Sequence, residues 1–469
     1  MRKSKTIYIL LGILVVLCIG AFAVSKIETR KENIRNSDEV FLSIDPSEVT
    51  ALSWSVGDSD YSFTKGEAWI YDADAAFPVD ESRINDLLEV FRDFGASFII
   101  DDAEDLSQYG LNSPEGTITI STPNQTYSIR LGDYSTIDSQ RYVSIGDGKV
   151  YLVSHDPVED FSVDLTNLIL NDTIPYFESI SSVSFTGEEI YILIYQEESH
   201  NTYCAEDVYF VGTKPLDTGA VEGYLSYLSY LPLDDFITYS ADDSDLDTYF
   251  LQEPTLTATV NYESTLADGT AEAGSFTFCI GCDPEALAQA EENEDTSAMV
   301  AYFRLGNSPI IYQISAYDYD ALMSCTYNDL RHDDIIPVDF NTVYQLDITL
   351  DGKTYTMARD EDAEAKSEED VAVWKYGEET VAFAALNSAL TGLTANGFTD
   401  SAQPGKQEIA LTLYLHNDNF PQVSVDLYRY DGTDCVAKVD GRTVAFVSRS
   451  QVVDLIEAVN AIILNTTNG

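Results

Sequence analysis

A ten-residue stretch of this chain recurs in register with five positions identical, and that repetition constrains the fold more than any other feature. Asp105-Leu106-Ser107-Gln108-Tyr109-Gly110-Leu111-Asn112-Ser113-Pro114 returns as Asp245-Leu246-Asp247-Thr248-Tyr249-Phe250-Leu251-Gln252-Glu253-Pro254, with Asp, Leu, Tyr, Leu and Pro unchanged. Self-similarity at so long a period means a duplicated structural unit. The stretch Phe77 to Phe161 around the first copy is followed twice more by the same sequence of parts. Val183 to Ile314 repeats them, and Val343 to Ser448 repeats them in drifted form. The third copy keeps its ending: Val436-Ala437-Lys438-Val439-Asp440-Gly441-Arg442 mirrors Val143-Ser144-Ile145-Gly146-Asp147-Gly148-Lys149.

Within the first copy, Val49 to Trp54, Tyr61 to Phe63 and Ala68 to Tyr71 alternate as strands do. Asp80 reads as the N-cap of a helix carrying Ile84, Leu87, Leu88 and Phe91 on one face, and Gly95 ends it. Leu106 to Leu111 reads as one helical turn with Leu106 and Tyr109 inward. Four more strands follow, the last two joined at Asp147-Gly148. The second copy adds an acidic insert, Asp283 to Ser297, and a helix over Val221 to Leu231. The third has its helix over Val381 to Leu393, with a short helix after Ser448. The expected fold class is α+β: three tandem β-rich repeats, each an antiparallel sheet with one main packed helix, behind an N-terminal transmembrane helix. The corresponding boundaries are 1–36 for tail, anchor and juxtamembrane segment, then repeats at 37–171, 172–334 and 335–469.

The amino terminus supplies an address. Ile7 to Val24 is an apolar run behind Arg2, Lys3 and Lys5, long enough to cross a hydrocarbon core. Three fates compete: an uncleaved signal anchor, cleavage after Ala23 at Ala21-Phe22-Ala23, and a lipoprotein signal at Cys18. Leu17 stands where the lipoprotein signal wants a small residue, and the run exceeds a usual signal-peptide core. The anchor is therefore the favoured reading, with the bulk of the chain extracytoplasmic. The formal net charge is −55, and seven of the 25 bases lie before Asn36 with only two acids. The remainder carries 78 acids against 18 bases. A field of that sign repels phosphate backbones and excludes nucleic acid as a partner.

Chemistry is harder to find. Cys279-Ile280-Gly281-Cys282 has redox or half-zinc spacing, but Cys204, Cys325 and Cys435 stand alone. Aligning Leu131-Gly132 with Ile280-Gly281 sets Arg130 and Asp133 opposite the two cysteines, so the slot is a strand end. The histidines are His155, His200, His332 and His416. His155-Asp156 and His332-Asp333 are sequence neighbours, which usually point apart, so no triad follows. Asp242 to Asp245, Glu291 to Asp295 and Asp360 to Asp362 lack the Gly and terminal Glu of a calcium loop. Tyr224, Tyr227 and Tyr230 alternate with Leu and read as a helix face rather than a sugar platform. No catalytic, cofactor-binding or metal-binding residue is expected, and no enzyme.

Trp69, Phe77-Pro78-Val79-Asp80, the Tyr109-Gly110-Leu111-Asn112-Ser113-Pro114 turn, Leu131-Gly132-Asp133 and the Asp147-Gly148 hairpin together resemble the family called domain of unknown function 4340. The resemblance is best over residues 60–165 and fainter in the later copies. The second copy departs from the motif with Phe250 in place of Gly110, so the position is not read as needing a left-handed backbone. The resemblance implies a membrane-anchored extracytoplasmic bacterial protein, some relatives being associated with ABC-type transport systems of the gliding-motility kind. The expected role is a non-enzymatic binding or scaffolding component, with an ABC-type permease complex or another envelope component as partner. Cell-surface adhesion is the alternative, and an envelope-polymer hydrolase a further one.

Overall fold

The computed structural model of the chain describes residues 33–467 apart from 102, 104, 198–200, 205, 266–268, 294, 298 and 361–372. The Ile7 to Val24 run, Cys18, Ala23, His200, Glu361 and Asp362 lie outside the described residues.

The first sheet comprises β1 (Asn33–Leu42), β2 (Ala51–Val56), β3 (Ser59–Lys65), β4 (Trp69–Tyr71), β5 (Phe94–Asp101), β6 (Gly116–Ser121), β7 (Thr126–Ser135), β8 (Gln140–Ser144) and β9 (Val150–Val153). Its helices are α1 (Glu81–Glu89) and α2 (Pro157–Phe161). The second sheet holds β10 (Ser179–Thr186), β11 (Ile190–Tyr195), β12 (Tyr209–Val211), β13 (Lys214–Pro215), β14 (Phe236–Thr238), β15 (Leu256–Thr265), β16 (Ala271–Cys282), β17 (Ala301–Leu305) and β18 (Ile311–Ile314). Between them come α3 (Thr218–Ser229), α4 (Asp243–Thr248), α5 (Pro284–Asn293), α6 (Ala316–Met323) and α7 (Tyr327–Leu330). The third comprises β19 (Val343–Leu350), β20 (Lys353–Arg359), β21 (Trp374–Tyr376), β22 (Glu379–Val381), β23 (Ala395–Phe398), β24 (Gln407–Leu415), β25 (Gln422–Arg429), β26 (Asp434–Val439) and β27 (Arg442–Ser448), with α8 (Ala384–Thr391) and α9 (Arg449–Thr467).

All three sheets are nine-stranded, and eight strands follow one order in each. The first runs β1-β5-β9-β8-β7-β6-β2-β3-β4, while the second, read from its β14 end, runs β14-β18-β17-β16-β15-β10-β11-β12-β13. The third, read from β23, runs β23-β27-β26-β25-β24-β19-β20-β21-β22. The ninth strand differs: β1 joins the β5 edge in the first sheet, whereas β13 and β22 join the opposite edge in the others.

One residue alternation explains all three sheets. Leu52 faces Ile120 and Trp54 faces Ile118 on the core side, while Ser53 faces Thr119 on the other. The second sheet pairs Val183 with Val260 inward and Ser184 with Thr259 outward. In the third, Leu346 meets Leu413 and Asp347 meets Thr412. An antiparallel sheet covered on one face needs this in-and-out pattern.

Packing divides the chain into two compact units: the described part of Met1–Asp172 with Leu233–Ala241 and Pro309–Ile311, and Thr173–Pro232 with Asp242–Ser308 and Tyr312–Gly469. In the first unit, Trp54 lies 5.6 Å from Phe63 and 5.3 Å from Phe161, ring centroid to centroid. Ile84, Leu87 and Leu88 of α1 are buried, and Asp80 caps that helix by accepting from Ser82 and Arg83 N–H groups. The Tyr239 hydroxyl donates to Asp74 within this unit at 2.7 Å. Arg141 is buried and donates to Asp156 at 2.6 Å, Glu115 at 2.5 Å and the Gly132 carbonyl at 2.6 Å. In the second unit, α9 lays Val452, Leu455, Val459 and Ile462 into the core of the third sheet, and α8 adds Leu386 and Leu390.

Two expectations need correction. The fold is mostly β rather than α+β, because strands reach twelve residues in β16 while, among the described helices, only α3 and α9 exceed ten. "One main helix" per repeat also fails: the second sheet is accompanied by α3 to α7, and the third by α8 and the 19-residue α9 where a short helix was expected. The transmembrane helix fell on undescribed residues, and no helix among the described ones is long and apolar enough to cross a membrane. β1, charged and interrupted by register shifts, has no counterpart in the sequence reading, which begins its strands at Val49.

Candidate functional site

The repeated ten-residue motif proves to be architecture. Leu106–Tyr109 forms a 3-10 turn capped by Asp105, and Gly110 follows in the left-handed region with φ 71°. Phe250 takes the same conformation in the second copy with φ 57°, which corrects the inference drawn from its side chain. A non-glycine residue there carries backbone strain of about 1–3 kcal/mol, held by its surroundings. What the turn requires is a glycine opposite. A Cβ on Gly132 would lie 2.1 Å from the Tyr109 carbonyl oxygen, and one on Gly281 would lie 2.5 Å from that of Tyr249. In the third copy the glycine has changed sides: Gly405, on the loop, donates to the Arg429 carbonyl at 2.9 Å.

This accounts for the Cys-x-x-Cys spacing, since Gly281 is the residue the strand needs there. Cys279 and Cys282 sit three apart on β16 and so point to opposite faces. Cys279 Sγ lies 3.7 Å from the Thr257 hydroxyl, whereas Cys282 is buried against the Val300 carbonyl. Both are free thiols, as are Cys204, Cys325 and Cys435. Burial pushes the Cys282 thiol up, and the Cys325 thiol up to about 12.

Other sequence candidates resolve into local structure. Asp242 and Asp245 form the capping box of α4. Glu291 and Glu292 fall in α5, Asp295 accepts from the Ser297 N–H, and Asp360 pairs with Lys375 at 2.6 Å. Among the described residues no group of three or more His, Cys, Asp or Glu could hold a metal ion. Tyr224 is buried with its hydroxyl on the Leu322 carbonyl, Tyr227 donates to Asp318 at 2.5 Å, and Tyr230 alone is exposed, so the three make no platform. His155 pairs with Asp160 at 2.6 Å, and His416 stacks on Tyr344 at 4.7 Å.

His332 belongs to a site the sequence reading missed. The second unit contains a cleft of about 480 Å³ at the join of the second and third sheets. Two hairpin tips and one linking segment build it. Gly212, with φ 63°, turns β12 into β13 and sets Lys214 on the wall. Asp440 and Gly441, with φ 47° and 76°, turn β26 into β27 and set Arg442 opposite in sequence to Val439. The segment from α7 to Pro337 is pinned at both ends: Asp217 N–H donates to the Leu330 carbonyl, and Ala395 N–H to that of Asp333.

Cations and rings converge there. The Lys214 ammonium lies 4.8 Å from the Tyr327 ring centroid, and the Arg331 guanidinium lies 5.3 Å from the same ring and 4.2 Å from that of Phe398. Tyr203 packs on Phe420 at 4.7 Å and donates its hydroxyl to Asp440. Asp440 also accepts from the Ser424 N–H at 2.9 Å. His332 Nε2 bonds Asp207 at 2.8 Å, and Nδ1 faces Asp217 at 3.8 Å. Asp207 is buried and takes the Thr202 hydroxyl as well. Burial alone would lower the His332 pKa, yet the bond and charge of Asp207, with Asp217 and Asp334, carry it above its ordinary value. With a carboxylate facing each ring nitrogen, His332 is placed to hold charge rather than to take a proton from a nucleophile. The nearby Cys204 thiol is pushed up by burial, which keeps it protonated.

These features define a tandem-sheet β protein with a cationic, aromatic-lined cleft of small-molecule size. The chain belongs to the family described as domain of unknown function (DUF4340), which matches residues 69–179 and 212–410. Lys214, Tyr327, Arg331 and Phe398 fall inside the matched region, and Tyr203, Phe420 and Arg442 outside it. No curated protein and no solved structure matches the chain.

Proposed function

We propose that the chain is a binding component of a cell-envelope assembly, exported and held at the outer side of the membrane, rather than a catalyst. The observation that carries this reading is the cleft of the second unit. Lys214, Arg331 and Arg442 gather there in a chain whose acids outnumber its bases 80 to 25. Two of these cations flank a single ring, an arrangement whose mutual repulsion a bound anion relieves. The engagement of His332 by Asp207 and Asp217 favours holding over turnover. The extracytoplasmic address rests on the Ile7 to Val24 run, and the link to an ABC-type transporter on the family resemblance.

Crosslinking in intact cells with the full chain, followed by identification of the attached proteins, tests the reading. Recovery of a permease or ATPase subunit is the expected result. Recovery of wall material alone would transfer the role to adhesion, and turnover of an envelope polymer by the purified chain would make it a hydrolase.

A further inference from the structure

We infer that the cleft at the join of the second and third sheets takes an organic anion, with its phosphate or carboxylate between Arg331, Arg442 and Lys214 and its flat apolar part against Tyr203 and Phe420. This deepens the binding reading and rests on it.

The geometry around Arg331 carries the argument. Its guanidinium carbon lies 4.2 Å from the Phe398 centroid and 5.3 Å from that of Tyr327, so two rings hold the group. The rings take up none of its N–H donors in ordinary hydrogen bonds, and a guanidinium with free donors can grip a carboxylate or phosphate with two parallel bonds. Among the described residues, no carboxylate forms an ion pair with Arg331, Lys214 or Arg442. Two acids line the cleft. Asp440 accepts from the Tyr203 hydroxyl and from Ser424 rather than from the cations, so their N–H donors stay available to a ligand. Asp334 stands exposed at the rim.

The remaining wall suits a flat group. Tyr203 and Phe420 stand 4.7 Å apart at 59°, forming a corner rather than a filled stack. A volume of about 480 Å³ admits a ring system of two or three fused rings with its charged substituent. The acidity of the whole chain does not forbid an anion here. At physiological ionic strength, exposed charges beyond about 8 Å are largely screened, so the acids elsewhere on the chain count for little beside the groups that line the cleft.

Isothermal titration of the full chain in detergent with 1-naphthyl phosphate, 1-naphthoate, 1-naphthol and inorganic phosphate decides the matter. One equivalent of an aryl anion should bind at least about tenfold more tightly than the neutral naphthol or the ring-free phosphate. Arg331→Gln and Arg442→Gln should each weaken it about tenfold. Arg331→Lys should recover part of the loss, and Arg83→Gln on α1 should change nothing. Binding of the phosphate but not the carboxylate would identify the ligand class as phosphate esters, and the reverse as carboxylates. Equal binding of naphthol, indifference to both substitutions, or no heat up to millimolar concentration would overturn the proposal. Arg442 is exposed on a hairpin, so its variant stays informative if the Arg331 variant fails to fold. A failed titration beside a recovered permease removes the ligand class and leaves the binding reading standing, whereas a good titration with no envelope partner does the opposite.

Discussion

Replacing Arg141 with Leu should lower the melting temperature of the first unit by roughly 6–12 °C. The side chain is almost wholly buried, at 5% exposure, and binds the carboxylates of Asp156 and Glu115 and the Gly132 carbonyl. Burial works against its charge, yet the bonds to Asp156 and Glu115 hold its pKa above the ordinary value. Removing one partner of a buried pair costs about 3–5 kcal/mol, because the other charge is stranded. Two features place this case near the low end. Asp156 keeps its cap on the Val158 N–H at 3.0 Å, and Glu115 is half exposed and can turn to water. About 3 kcal/mol at roughly 2–4 °C per kcal/mol gives the stated shift. Calorimetry of the full chain in detergent measures it, and a urea series checks the free energy. The double variant Arg141→Leu/Asp156→Asn should recover part of the loss by removing the stranded charge. A loss under about 1 kcal/mol in the single variant would refute the view that this buried network stabilises the first unit.

Other outcomes follow from the same structure. Gly132→Ala and Gly281→Ala each set a methyl against a backbone carbonyl, at 2.1 and 2.5 Å, and should cost about 1–3 kcal/mol in a urea titration. The raised pKa of His332 contributes stability that is fully present below pH 6.5 and is lost as pH rises through the elevated folded value. The second unit should therefore melt lower at pH 8.5 than at pH 6, and His332→Gln should flatten that dependence. A thiol reagent at neutral pH should modify the half-buried Cys279 first, with Cys204 slower because burial keeps its thiol protonated, and should spare the buried Cys282, Cys325 and Cys435 until the chain unfolds. Mass analysis of the folded protein should find no disulfide between Cys279 and Cys282, since they occupy opposite faces of β16.

Much of the sheet architecture was legible because it rests on local rules. Leu52 and Trp54 announce their strand by alternation, Asp80 announces its helix by capping, and Asp147-Gly148 announces a hairpin. The repeated motif was visible as a pattern, but its cause lay elsewhere: the close approach of Tyr109 to Gly132 joins residues from different strands and loops. Phe250 misled for a related reason, because tertiary packing imposed a conformation its side chain disfavours. The cleft was illegible in principle. Its cations come from separate elements, and His332 meets an aspartate 125 residues away rather than its neighbour Asp333. Long-range pairings of that kind leave no local periodicity to read.

Diffraction from crystals grown with 1-naphthyl phosphate tests the central claim most directly, because it reports where the anion goes. Its phosphate should lie about 3 Å from guanidinium nitrogens of Arg331 and Arg442, with the rings against Tyr203 and Phe420. Density for the compound at another surface, with this cleft empty, would contradict the account.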